Sequence, residues 1–161
     1  MKNIFSIIAI ALIGAFILSS CNKNEYETEP LKTVNVSGKV EARLDLTAVD
    51  EFGNPVFQNA PTGTRIIFQT DSKNLCQKTD DSYTYSYIQY ETTVDSNGNY
   101  SIELPAVNFK AVAYTIIPVE FKANQRQNAA GAVIEYTYKA ADQTVSVREG
   151  EIKYGVDIRY N

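Results

Sequence analysis

The chain has no histidine and no tryptophan, and its single methionine is the first residue. The missing histidine excludes a Ser-His-Asp triad, a Cys-His nucleophile pair and any zinc site that uses an imidazole ligand. Only two cysteines occur, Cys21 and Cys76. There is no run of basic residues, and 19 acidic side chains face 15 basic ones, for a formal net charge of −4. Phosphate neutralisation needs a Lys/Arg patch, so nucleic acid is excluded as a partner. Helical hydrophobic periodicity is absent beyond the first 20 residues.

What is present begins with one basic residue, Lys2, followed by a nearly unbroken apolar run from Ile4 to Leu18. A charged start and a short apolar stretch form the layout of a secretory signal, and the stretch is short for a membrane span. It closes on Leu18-Ser19-Ser20-Cys21, which resembles the lipobox of bacterial lipoproteins. That resemblance implies cleavage before Cys21 and acylation of its thiol. Each buried methylene contributes about 0.8 kcal/mol, so several acyl chains would hold the protein on a membrane. With Cys21 acylated, Cys76 has no intrachain partner, and stability must come from the core.

The segment NKNEYETEPLK behind Cys21 is polar and acidic and reads as a tether. Asn22 is not the Asp that resembles an inner-membrane retention signal, and Glu25, Glu27 and Glu29 are similar to export signals toward the outer face of the outer membrane. The expected organisation is a signal peptide over 1–20, a lipidated Cys21 with a flexible tether over 21–32, and one domain over 33–161. The expected location is the outer membrane, lipid-anchored and surface-exposed.

The domain alternates with a period of two. Val34, Val36, Val40, Ala42, Leu44 and Leu46 share one parity, with polar residues between them. Ile152, Tyr154, Val156, Ile158 and Tyr160 form a second such row. Alternate side chains on a strand face opposite ways, so both segments predict half-buried strands. Further strands are expected near 64–70, 83–94, 99–104, 110–122, 132–139 and 144–147, separated by Gly, Asn and Pro turn signals. The sum is an all-β chain, an antiparallel sandwich of about seven to eight strands. Two segments slip phase. Tyr83, Tyr85 and Tyr87 stand out of parity with Ile88, Tyr90 and Val94, and the apolar row of 110–122 changes parity at Pro118. A bulge or an edge is the expected remedy.

The pieces VSGKV (36–40), FGNPV (52–56), NAPTGTRIIF (59–68) and YETTVDSNGNYSIELPA (90–106) together resemble the carboxypeptidase regulatory-like family, also called transthyretin-like or prealbumin-like. The resemblance covers about half of the chain after Cys21. It implies a transthyretin-like sandwich that is structural or ligand-binding, and it brings no catalytic residues. The polar stretch 69–82 is longer than the family pattern requires.

Asp95, Asn97 and Asn99 alternate as in a calcium loop, but such a loop needs Gly sixth and Glu twelfth, and here Gly98 is fourth and the twelfth residue is Ala106. The stretch reads as a hairpin turn: Ser96-Asn97-Gly98 as a three-residue loop, Gly98 left-handed, Val94 opposite Tyr100 and Tyr90 opposite Leu104. No catalytic residue, metal site or cofactor is expected. The candidate binding surface is the row Tyr83, Tyr85 and Tyr87, whose rings would stack on a sugar or a partner chain if the strand is regular. A bulge would instead return them to the core. Tyr136, in parity with Ile134, is read as core or boundary, and Cys76 as a small buried hydrophobe. The expected reading is a non-catalytic binding or scaffold module whose partners are the membrane, through the lipid, and a glycan or envelope protein. The alternative is a structural subunit that pairs through edge strands.

Overall fold

The structure, a computed structural model, describes residues 31–161. The expected signal, Cys21 and the tether up to residue 30 lie outside the described residues. Ten strands follow in chain order: β1 (Lys32–Ala42), β2 (Gln58–Asn59), β3 (Arg65–Asp71), β4 (Tyr87–Thr93), β5 (Asn99–Ala106), β6 (Val112–Pro118), β7 (Phe121–Arg126), β8 (Val133–Tyr138), β9 (Gln143–Val147) and β10 (Ile158–Tyr160). A short 3-10 turn, Ser72–Leu75, follows β3, and the Asp71 carboxylate caps it by accepting from the Lys73 N–H.

The strands form two sheets and a separate hairpin. In the first sheet β1 pairs antiparallel with β5 and β2, and parallel with β10. In the second the order is β4-β3-β6-β9, antiparallel throughout. β7 and β8 pair with each other and with no other named strand, though Arg126 of β7 bridges to Asp45. The all-β antiparallel sandwich expected from the alternation is therefore observed, with a parallel last strand and more strands than expected.

The alternation sets the core. β1 turns Val34, Val36, Val40 and Ala42 inward, and β6 turns Val112, Tyr114 and Ile116 to meet them. Phe68 of β3 packs against Tyr100 of β5 with ring centroids 5.9 Å apart. The tyrosines that enter this core bring their hydroxyls to backbone carbonyls, as burial of a polar group requires. Tyr100 donates to Val156 O at 2.7 Å, Tyr114 to Pro105 O at 2.7 Å and Tyr160 to Val119 O at 3.0 Å.

Three segments depart from the sequence expectation. The 110–122 segment carries no bulge: β6 ends at Pro118, and the chain restarts as β7 at Phe121 outside the sheet. Pro118 pairs opposite Ile66 at the strand end, where its missing N–H costs no ladder bond. The last segment keeps only Ile158–Tyr160 as strand. Val36 pairs with Lys153, while Val40 pairs with Ile158. Four steps on β1 therefore match five on its partner, and the extra residue falls where Gly155 takes a φ of 67°. The slip turns Ile152 and Tyr154 outward and leaves both exposed. The first strand ends at Ala42, short of Leu44 and Leu46.

The Asn97-Gly98 turn forms as expected. Gly98 has a φ of 79°, its N–H donates to Asp95 O, and Asp95 N–H donates to Asn99 O. The ladder does not continue from it. β4 pairs with β3 and β5 with β1, so the turn is the crossover between the sheets.

Candidate functional site

The β7–β8 hairpin belongs to neither sheet, and its inner face is made by register. Phe121 lies opposite Tyr138, Ala123 opposite Tyr136, and Gln125 opposite Ile134. Directly opposed residues share a face. At the root that face is core: Phe121 stacks on Tyr138 at 5.0 Å and meets the edge of Tyr160 at 4.9 Å. Toward the tip the same face emerges into solvent. Tyr138 is fully buried, whereas Tyr136 is 39% and Ile134 48% exposed.

The opposing wall is the segment that leaves β1. Leu46 N–H donates to Arg126 O and Arg126 N–H to Leu44 O, which fixes this segment alongside the end of β7. Between hairpin and segment lies an open cleft of about 370 Å³, lined by Arg43, Leu46, Gln125, Gln127, Ile134, Tyr136 and Asn161. Its polar groups form a relay. Gln127 Nε2 donates to Gln125 Oε1 at 2.8 Å, and Gln125 Nε2 donates to Arg43 O at 3.0 Å. Tyr138 Oη donates to the same carbonyl at 3.2 Å. Gln125 is a buried amide with both ends bonded, so it holds the Gln127 amide and the Arg43 backbone in place. Arg43 Nε is buried and has no hydrogen-bond partner among the described residues. A second cleft, about 410 Å³, is lined by Ala141, Gln143, Asp157, Arg159 and Asn161. Asn161 lines both, and backbone bonds in each direction with Lys139 pin it.

This arrangement offers an aromatic ring, an aliphatic side chain, amides and a guanidinium. Apart from the Tyr136 phenol, no side chain along the first cleft is a carboxylate, a thiol or a hydroxyl. In the second, Asp157 Oδ1 accepts from the Lys39 N–H. No group of three or more metal-ligating side chains converges among the described residues. The Asp95 carboxylate is engaged within its own turn, where Oδ1 accepts from the N–H groups of Asn97 and Asn99.

The three tyrosines singled out in the sequence do not form a row on one strand. β4 begins at Tyr87, so Tyr83 and Tyr85 sit in the preceding loop. Tyr83 and Tyr87 are each 70% exposed, and no bulge returns them to the core. Tyr85 folds back: its hydroxyl accepts from the Asp80 N–H at 2.9 Å. Neither cleft is lined by Tyr83, Tyr85 or Tyr87. Cys76 is half-buried, with Sγ 3.6 Å from Ser72 O.

Sequence reasoning missed the cleft because its residues come from four separate segments and its hairpin was merged with β6. A signal was present. Phe121, Ala123 and Gln125 alternate after Pro118, in step with Ile134, Tyr136 and Tyr138 on the return strand.

The chain matches no protein-family model and no curated protein. Among solved structures it is similar to a candidate carbohydrate binding protein from Pseudomonas aeruginosa, at 15% identity over 83% of this chain and 92% of that one, with a TM-score of 0.43. It is also similar to the major plantain pollen allergen, at 13% identity over 80% of this chain and 94% of that one, with a TM-score of 0.35. Both likenesses are distant, and the fold described above rests on the strand pairing itself.

Proposed function

We propose that this chain is an exported lipoprotein, anchored through Cys21 to the outer membrane, and that its β domain is a non-catalytic module that binds a glycan in the cleft beneath the β7–β8 hairpin. The observation that carries the binding reading is the partly exposed Tyr136–Ile134 face set against the fixed Gln125–Gln127 amides. A sugar presents apolar C–H faces and a rim of hydroxyls. A tyrosine ring covers the first, and amides and a guanidinium bond the second. A few placed polar groups beside apolar surface are the usual make-up of a ligand site, and 370 Å³ suits a small ligand. The anchoring reading rests on the apolar run and the Leu-Ser-Ser-Cys sequence. The carboxypeptidase regulatory-like resemblance supports a binding domain without catalysis.

Two experiments test this. Feeding cells an alkyne fatty acid should label the wild type and not Cys21→Ser; an unlabelled wild type ends the anchoring reading. A glycan panel presented to the purified lipoprotein should give a binder whose affinity falls with Tyr136→Ala; a panel with no binder ends the glycan reading.

A second reading, a subunit that assembles through strand edges, is favoured by β8, which has one neighbour and exposes Val133, Ile134 and Tyr136. Such an edge is a template for another chain. It predicts oligomers that Val133→Lys disperses.

A further inference from the structure

We propose, resting on the glycan reading of the cleft, that the sugar it takes carries a carboxylate and that Arg43 holds this group. The charge pattern around the arginines carries the inference. Arg65 makes a two-pronged pair with Glu91 at 2.6 and 2.7 Å, Arg126 pairs with Asp45, and Arg159 pairs with Glu41, while Arg148, which lines neither cleft, acts on Glu151 through its charge. Arg43 is part of a cleft wall and has no ion-pair partner among the described residues. None of the other side chains lining that cleft is acidic, in a chain where acidic residues outnumber basic ones. The two nearest carboxylates in sequence, Glu41 and Asp45, are already occupied, Glu41 by Lys39 and Arg159 and Asp45 within its own loop and by Arg126. Asp45 accepts from the N–H and the hydroxyl of Thr47 and faces Arg126.

The position of Arg43 is built. Its carbonyl accepts from both Gln125 Nε2 and Tyr138 Oη, so the backbone that carries it is fixed before any ligand arrives. Its Nε is buried without an acceptor, so a ligand in the cleft meets the terminal nitrogens of the guanidinium. A guanidinium edge matches a carboxylate with two parallel hydrogen bonds, and such pairs are stronger than neutral ones. Tyr136 and the Gln127 amide then serve the ring and its hydroxyls. Asn161 lines both clefts, so a ligand longer than one sugar continues past it toward Arg159. Arg159 is committed to Glu41 and lies over the Phe57 ring, which leaves the acidic unit on the Arg43 side. The ligand class is a short acidic oligosaccharide of the uronic type.

The test titrates the full lipoprotein in detergent micelles with matched probes: short oligomers of glucuronate, galacturonate and mannuronate, their neutral hexose counterparts, and acetate. At least one acidic oligomer should bind about tenfold or more tightly than its neutral twin, because a site built for a polar group rejects the analogue that lacks it. Arg43→Gln should abolish that preference, lowering the affinity for the acidic oligomer about tenfold or more further than that for its neutral twin. Should Arg43→Gln not fold, Arg43→Lys keeps the charge without the fork and should lose most of the preference. The wild type alone gives a further readout, since the Arg43 Nε–H resonance should move with the acidic probe and not with the neutral one. Equal binding of acidic and neutral oligomers, unchanged by either substitution, overturns the inference and leaves the glycan reading standing. Acetate binding as well as the acidic oligomer reduces the site to a bare anion contact and overturns it too. No sugar binding of either kind overturns both readings.

Discussion

The Tyr100 hydroxyl donates to the Val156 carbonyl at 2.7 Å, and that same carbonyl lies where a side chain on Gly38 would have to stand. β1, β5 and the segment that leads into β10 meet at this point. Ser37 O accepts from Val156 N–H, and Tyr100 lies opposite Gly38 in the β1–β5 ladder. Gly38 is therefore a close-approach glycine, and its φ is not left-handed. Gly38→Ala should cost roughly 2–3 kcal/mol, because backbone rather than a flexible side chain must yield. Chemical denaturation checks this, and a loss under about 0.5 kcal/mol would refute the packing described.

Part of this was legible in sequence and part was not. The parity of β1 and of β5 is set by residues that all face one core, so alternation alone placed Val36 and Leu104 inside. The parity of the C-terminal segment misled. Ile152 and Tyr154 share it with Ile158 and Tyr160, yet the residue inserted between the Val36–Lys153 and Val40–Ile158 pairings reverses it. Nothing local to 152–160 shows which partner strand will be used or where the slip falls. Likewise the Asp95–Gly98 turn is written in local chemistry, but that its two arms enter different sheets is decided by β1 and β3. The candidate cleft was hidden for the same reason: Arg43 and Tyr136 are brought together by pairing across 93 positions of chain.

The buried tyrosines predict an alkaline limit to stability. Burial pushes the hydroxyls of Tyr100, Tyr114 and Tyr160 well above their ordinary value of 10.0; the Asp157 carboxylate adds to the effect at Tyr100, and Tyr90 at Tyr114. In the unfolded chain they ionise near pH 10, while in the folded chain they keep their protons. The native state then binds more protons than the unfolded one, so stability present below pH 10 is lost as pH rises. Each such tyrosine contributes a slope of about 1.4 kcal/mol per pH unit. Thermal midpoints should hold to about pH 10 and fall steeply above it. Tyr160→Phe should flatten that fall by one proton's worth, and an unchanged slope would remove Tyr160 from the account.

Tyr136 and Tyr87 separate the two candidate surfaces. Tyr87 is largely exposed and Tyr136 partly so, with its ring edge-on to Tyr138, and neither hydroxyl has a hydrogen-bond partner among the described residues. Either alanine substitution should cost no more than about 1 kcal/mol of stability. Tyr136→Ala should lower glycan affinity by about tenfold, whereas Tyr87→Ala should leave it unchanged, since an aromatic contact is worth about that much. Calorimetric titration of both variants decides between them. A loss confined to Tyr87→Ala would move the site to the β4 edge.

The turn between the sheets allows a prediction with two separable parts. Gly98 has a φ of 79°, where any Cβ is strained, and a Cβ built there would also lie 2.6 Å from Asn59 Cγ and 2.8 Å from Asn59 Cβ. Asn59 is held by β2, which pairs with the end of β1, and Gly98 O accepts from Val40 N–H beside it. Gly98→Ala should thus lose about 1 kcal/mol to backbone strain and a comparable amount to the collision with Asn59. Asn59→Gly removes the obstructing side chain and cannot touch the strain. In a double-mutant cycle the pair should be coupled, with the loss from Gly98→Ala in the Asn59→Gly background reduced to the strain part alone. Strictly additive losses would mean that the side chain at 59 swings away without cost. A Gly98→Ala variant as stable as the wild type would mean that the turn is not left-handed at this residue, and the crossover from β4 to β5 would need a different geometry.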